Sequence, residues 1–163
     1  MAEKENNNES RPFRCVNFRL GEECYGQDIG YIHEVNRVQN ITEVPGAPEY
    51  ILGVINLRGS VIPVMNLRKR LGLPAVDVTK DSRVIVIEYQ GSLLGMLVDS
   101  VHHVLEIPYN DISDTPESTI TEKNIFISGI GKVEEKLVFL IDTEKIFAEE
   151  STIEMLMGQG TEA

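Results

Sequence analysis

Apolar residues in this chain recur at every second position over short stretches. Val16, Phe18 and Leu20 alternate with Cys15, Asn17 and Arg19, and Gly21-Glu22-Glu23 turns the chain into a second run from Cys24 to Ile29. A period of two is the mark of a strand with one buried face, and the turn between the runs makes them a hairpin. Arg83 to Tyr89, a turn at Gln90-Gly91, and Ser92 to Asp99 repeat that hairpin. Further strands are predicted at Ile32 to Val38, Gly53 to Leu57, Ser60 to Met65, Val101 to Ile107, Phe126 to Val133 and Leu137 to Ile141. Gly, Pro, Asn and acidic turns divide them. Helical spacing is confined to short pieces at Pro48 to Leu52, Leu67 to Leu71 and Glu144 to Met157, where Ile146, Phe147, Ile153 and Leu156 would line one face.

The strand pattern is written twice. Arg14, Val16, Phe18, Leu20, Gly26, Ile29, Ile32 and Val35 match Arg83, Ile85, Ile87, Tyr89, Gly95, Val98, Val101 and Val104, a constant offset of 69 (14 to 83, 35 to 104). Tyr50 to Leu71 then matches Phe126 to Phe147 without a gap, at an offset of 76 (50 to 126). A duplication is an internal control: what both copies share is demanded by the fold, and what one copy holds alone needs another reason. Five short antiparallel strands per copy close most simply into a barrel, which removes the sheet edges. The fold class expected is therefore mainly all-β, two five-stranded barrels with short helices and a C-terminal helix. A barrel of this size buries little alone, so the two are expected to share a core. The boundaries read as a tail over 1–11, a domain over 12–150 with one barrel at roughly 12–77 and the other at roughly 78–150, and a helix end and tail over 151–163. The junction falls at Pro74 to Asp81, and strand exchange between the barrels stays open.

Composition narrows the function. The 163 residues are 42% apolar, enough to fill a core, and the formal charge is −11, from 15 basic and 26 acidic residues. That balance repels phosphate backbones and anionic lipid, which argues against nucleic acid as a partner. No apolar run reaches membrane-spanning length and the N-terminal stretch Met1 to Ser10 is polar, so a cytoplasmic, soluble protein is expected. Cys15 and Cys24 lack metal-type spacing and read as free strand thiols.

Candidate chemistry is sparse. Adjacent His102 and His103 would point to opposite sides of a strand and so could not bind one metal together. Asp111, Asp114 and Thr115 lack the oxygen density of a calcium loop. Gly129-Ile130-Gly131-Lys132 has no Ser or Thr after the Lys and precedes no helix, so it cannot cradle a phosphate. No catalytic residues, metal ligands or cofactor site are assigned, and an enzyme is not expected. What remains are charges confined to one copy. Arg58-Gly59 forms the tip between two apolar strands where the second copy has Glu134-Glu135, and Glu34 stands where the second copy has His103. The turn and the strand do not require either residue, although a solvated surface charge is the ordinary reading of each.

These residues carry a resemblance. Tyr25-Gly26-Gln27-Asp28-Ile29, Glu34-Val35, Gly53-Val54-Ile55-Asn56-Leu57-Arg58-Gly59, Ile62-Pro63-Val64, Leu94-Gly95 with Val98-Asp99, and Gly129-Ile130-Gly131 resemble the CheW family of bacterial chemotaxis coupling proteins, from Phe13 to about Glu150. The same module resembles the regulatory domain of the histidine kinase CheA, but no phosphotransfer, ATP-binding or receiver domain fits in this chain. The resemblance implies two SH3-like barrels and an adaptor, without cofactor and monomeric alone, joining the cytoplasmic tip of methyl-accepting chemoreceptors to CheA in membrane receptor arrays. Carried over by position, it implies receptor- or kinase-binding roles for Ile32, Glu34, Arg58, Gly59, Gly95 and Val101. The loop Tyr109 to Glu122 departs from the family pattern. Rival readings are a coupling module for a non-chemotactic receptor system, and an enzyme or small-ligand-binding double barrel, which would show a deep polar pocket.

Overall fold

The computed structural model describes residues 11–116 and 125–148. Among these described residues eleven strands run in the order β1 Phe13–Leu20, β2 Glu23–Asp28, β3 Ile32–Arg37, β4 Ile51–Leu57, β5 Ser60–Asn66, β6 Arg83–Tyr89, β7 Ser92–Val98, β8 Ser100–Ile107, β9 Ile112–Asp114, β10 Ile127–Val133 and β11 Lys136–Ile141. Short helices follow β5 at Leu67–Arg70 and β11 at Thr143–Ala148. The first is capped by the Asn66 side chain, which accepts from the Lys69 amide. The helix expected at Pro48 to Leu52 is a turn instead, closed by the Ile51 amide on the Pro48 carbonyl at 2.9 Å, and β4 begins at Ile51. The remainder of the predicted C-terminal helix, Glu149 to Met157, lies outside the described residues.

The strands form a six-stranded sheet, β8-β1-β2-β11-β10-β9, and a five-stranded sheet, β3-β6-β7-β5-β4. Neither is one copy of the repeat. Each sheet takes the first hairpin of one copy and the later strands of the other, joined by parallel pairs: β2 with β11 through Gly26↔Leu140, and β5 with β7 through Val64↔Gly95. The division at roughly 12–77 and 78–150 therefore does not follow the sheets, because residues 32–98 build the five-stranded sheet while 13–28 and 100–141 build the other. The sixth strand, β9, comes from the longer loop of the second copy and pairs Ser113 with Ile130. Its counterpart in the first copy is a single bridge, Thr42 to Val54.

Exchange explains why the β6 sequence Val84-Ile85-Val86-Ile87 is continuously apolar rather than alternating. Ile85 and Ile87 enter a large cluster shared by both sheets, with Phe18, Leu20, Met65, Leu94, Met96, Ile141 and Ile146. Val84 and Val86 face the other way, into a smaller cluster with Ile55, Ile62 and Val64. A strand buried on both faces has no reason to alternate. The six-stranded sheet has its own small core of Cys15, Ile107, Val138 and Leu140. Phe18 stacks on Tyr25 with ring centroids 5.6 Å apart inside the shared layer.

Glycines let each sheet curl over its small core. Glu34, Val86, Gly95, Val64 and Gly53 lie in one row across five strands. A side chain at Gly95 would begin 2.7 Å from Val84 Cγ1. Gly53 has φ +150°, and a Cβ there would collide with the Thr42 carbonyl oxygen. Gly26, the repeat of Gly95, would meet Cys15 Sγ at 2.8 Å. Both copies hold glycine at these points because neighbouring side chains, and at Gly53 the Thr42 backbone, occupy the space of a Cβ.

The chain crosses between sheets at Ile29–Tyr31 and again at Asp99. At the second crossing Arg68 donates from Nε to Asp99 Oδ1 at 2.9 Å and from Nη2 to Oδ2 at 2.5 Å, and from Nη1 to the Pro74 carbonyl at 2.8 Å. The Gly21 amide donates to the same Asp99 Oδ2 at 2.7 Å. One carboxylate thus ties the hairpin turn of one sheet to the helix that follows the other, in the bidentate geometry that suits guanidinium.

Two outcomes follow. Gly95→Ala should destabilise by about 1–3 kcal/mol through overpacking. Gly53→Ala should cost more, because backbone rather than a flexible side chain blocks it; urea midpoints check the order. The hydrogen bonds from Arg68 hold the Asp99 carboxyl below its usual range. Stability from this group is then whole at neutral pH and is lost as pH falls below the unfolded aspartate value, about 3.9, and through the lower folded one. Unfolding free energy measured across that acid range should fall less steeply in Asp99→Asn.

Candidate functional site

The hairpin tip Arg58-Gly59 owes its shape to backbone sign. Arg58 has φ +50° and Gly59 φ +89°, the paired positive values of a two-residue hairpin turn, and the Gly59 amide donates to Asn56 Oδ1 at 2.9 Å. Glu134 and Glu135 adopt φ +47° and +69° at the matching tip. The second copy therefore reaches the same turn with neither Arg nor Gly.

Arg58 and Glu34, the two charges the duplication left without a structural reason, are paired with each other. Arg58 Nη1 donates to Glu34 Oε2 at 3.3 Å and Nη2 donates to Oε1 more closely still. These hydrogen bonds hold the Glu34 carboxyl below its ordinary range and raise the Arg58 guanidinium above its own. β3 and β4 are opposite edges of the five-stranded order, so the pair joins one edge to the hairpin of the other and shows how far the sheet curls. His33 stands 3.7 Å from Glu34 and 3.9 Å from Glu88, which makes a compact charged cluster around the tip.

A bulge in β3 sets this arrangement. Ile32 pairs with Ile87 and Glu34 with the next residue, Val86, so His33 is the extra residue in the ladder. Ile32 is half-buried against the shared core, Glu34 is half-buried beside Arg58, and Val35 is exposed. The second copy has the same irregularity in β8, where Phe18 pairs with Val101 and Val16 with Val104. Val101 is half-buried against the shared core like its repeat Ile32. Gly95 is fully enclosed in β7 and touches the site only through the row that leads to Glu34. Glu34, Arg58, Gly59 and Ile32 are thus brought to one edge, whereas Gly95 lies beneath it and Val101 belongs to the other sheet.

Val35 and Val104 recur in both copies, yet their side chains are exposed, at 37% and 45%. Val61 and Leu137, another matched pair, are exposed at 67% and 53%. Recurrence in both copies shows that a position is constrained, not that it is buried. His102 and His103 both line one cavity, at the bulge where the strand's alternation is interrupted.

Cys15 and Cys24 are free thiols, and burial, with a smaller contribution from Asp28, pushes the Cys15 thiol up to about 12, which keeps it protonated and unreactive. Among the described residues no group of three or more His, Cys, Asp or Glu is placed to hold a metal ion. Among them, too, no helix is long and apolar enough to cross a membrane.

Comparison with known proteins places this geometry. The family model of the CheW-like domain matches residues 14–151. The chain is 34% identical over 139 residues to the chemotaxis protein CheW of Bacillus subtilis (strain 168), covering 85% of this chain and 89% of that protein. It is 35% identical over 145 residues to the chemotaxis protein CheW of Helicobacter pylori, covering 89% and 86%. Among solved structures it is similar to the scaffolding protein TtCheW from Thermoanaerobacter tengcongensis, with a TM-score of 0.75, 43% identity, and coverage of 80% of this chain and 88% of that one.

Proposed function

This chain belongs to the CheW family of chemotaxis scaffold proteins, and from that premise we propose that it couples the cytoplasmic tips of methyl-accepting chemoreceptors to the histidine kinase CheA. The observation that carries the proposal is the Glu34–Arg58 pair at an edge carrying exposed Val35 and Val61. Charge that the second copy folds without, set beside exposed apolar side chains, is the composition of a docking surface rather than of a solvated face. A receptor tip is a helical hairpin and offers apolar ridges to such an edge. A kinase regulatory domain built on the same double barrel offers a second, homologous partner.

In this reading Glu34, Arg58 and Gly59 set orientation, Val35 and Val61 supply burial, and Ile32 and Val101 hold the docking edges onto the shared core. Gly95 acts from beneath, by keeping the sheet curled so that Arg58 reaches Glu34. The protein works as a monomeric, cytoplasmic adaptor at membrane receptor arrays, without cofactor or catalysis. Binding both partners at once raises the local concentration of each around the other, which is the whole of the mechanism.

Adding the protein to purified receptor assemblies and CheA should raise kinase autophosphorylation strongly. Activity should fall again at large adaptor excess, when each partner is occupied separately. No rise with partners that respond to their own coupling protein would sink the chemotaxis role while leaving the fold intact. Arg58→Glu and Val35→Asp should each weaken receptor or kinase binding about tenfold or more by calorimetry, with unchanged circular dichroism. The charge-exchanged double variant, Glu34→Arg with Arg58→Glu, restores the internal pair with reversed polarity and should stay weak if the partner reads that polarity.

A further inference from the structure

The position that answers to the Glu34–Arg58 cluster in the second copy is a cavity of about 180 Å³ beside the Glu134-Glu135 tip. We propose that this cavity is a binding site for a small oxyanion. The duplication is the main argument. In the five-stranded sheet the equivalent space is closed by Val86, Leu93, Leu57 and Ile62, all part of or packed against its apolar cluster. In the six-stranded sheet Asn17 replaces Val86 and Cys24 replaces Leu93, so polar groups occupy a place that the fold fills with hydrocarbon elsewhere. The surrounding charges are inverted as well. Arg19 stands for Glu88, Lys136 for Ser60 and His103 for Glu34, while Glu134 stands for Arg58.

Asn17 is 8% exposed, and its Oδ1 and the Nε of Arg19 are buried without a hydrogen-bond partner among the described residues, so residues lining the cavity hold polar groups where the other copy packs apolar side chains. A hydrogenphosphate-like oxyanion has acceptor oxygens for Arg19 and Lys136 and a hydroxyl for Asn17. His102 adds ring nitrogens, one of them 3.0 Å from Ser100 Oγ, and His103 lines the same wall. Arg19 and Lys136 line the cavity with the carboxylate of Glu134, and Glu135 stands at the adjoining tip. The guanidinium and the ammonium supply charged donors suited to an oxyanion. The volume holds a tetrahedral ion with a few waters, each water needing about 30 Å³.

The repeat also supplies variants whose side chains the fold already accepts: Asn17→Val copies Val86, Arg19→Glu copies Glu88, and Lys136→Ser copies Ser60. Amide NMR spectra of the full chain should be titrated with inorganic phosphate, with chloride holding ionic strength constant. Saturable shifts centred on Asn17, Arg19, His102 and His103 are expected, with a dissociation constant of about 1 mM. Arg19→Glu should weaken binding at least about tenfold and Asn17→Val should remove the saturation, each with amide dispersion retained. Shifts that grow linearly and equally with phosphate or chloride would overturn the proposal and leave a cavity filled by water. Saturable binding unchanged in both variants would overturn it as well.

Discussion

Everything in this molecule depends on the exchange of hairpins between two copies of one pattern. β1 and β2 complete a sheet whose other strands come from the second copy, and β6 and β7 complete a sheet whose other strands come from the first. The parallel pairs that make the exchange possible run through Gly26 against Leu140 and Gly95 against Val64. At both glycines a side chain of the hairpin partner strand, Cys15 or Val84, fills the space a Cβ would take. Once the hairpins are exchanged, neither copy can leave the other without unpairing strands, and the shared layer of Phe18, Ile85, Ile87 and Met96 becomes the core of a single unit. The same layer fixes the spatial relation of the two edges, which an adaptor requires if it is to hold two partners at a set angle.

Much of this was legible in the sequence. Period-two alternation and strand-length apolar runs located the long strands, and the fixed offsets of 69 (14 to 83) and 76 (50 to 126) revealed the duplication. The consecutive-halves boundary is where sequence reading stopped, since a strand carries no local mark of which copy it will pair with. One trace was present: Val84-Ile85-Val86-Ile87 is apolar on both faces, which a sheet with one solvated face would not need. β9 was missed because three residues, Ile112–Asp114, are too short to show a period.

The site was legible in its charges and obscured in its geometry. Glu34 and Arg58 could be singled out because one copy has them and the other does not. Their mutual pairing could not, because it joins opposite edges of a curled sheet. The bulges at His33 and at His102-His103 break the alternation that side-chain directions are inferred from. A bulge of this kind has no composition signal and is set by the partner strand.

For the proposed adaptor, a duplicated body raises the question of how equivalent edges would take different partners. The two copies keep the backbone equivalent and invert the side chains. Exposed apolar positions are retained in both copies, Val35 with Val104 and Val61 with Leu137, so each edge can bury surface. Charge then separates them: Glu34, Glu88 and Arg58 gather at one edge, while Arg19, Lys136, His103 and Glu134 gather at the other. Inversion at the same backbone positions gives repulsion wherever a partner suited to one edge meets the other, and like-charge juxtaposition is more effective at rejecting a wrong partner than extra contacts are at attracting the right one. Two copies of one barrel can thus acquire different partners through a handful of substitutions, with no change to the glycine rows or to the shared core that hold the edges in place.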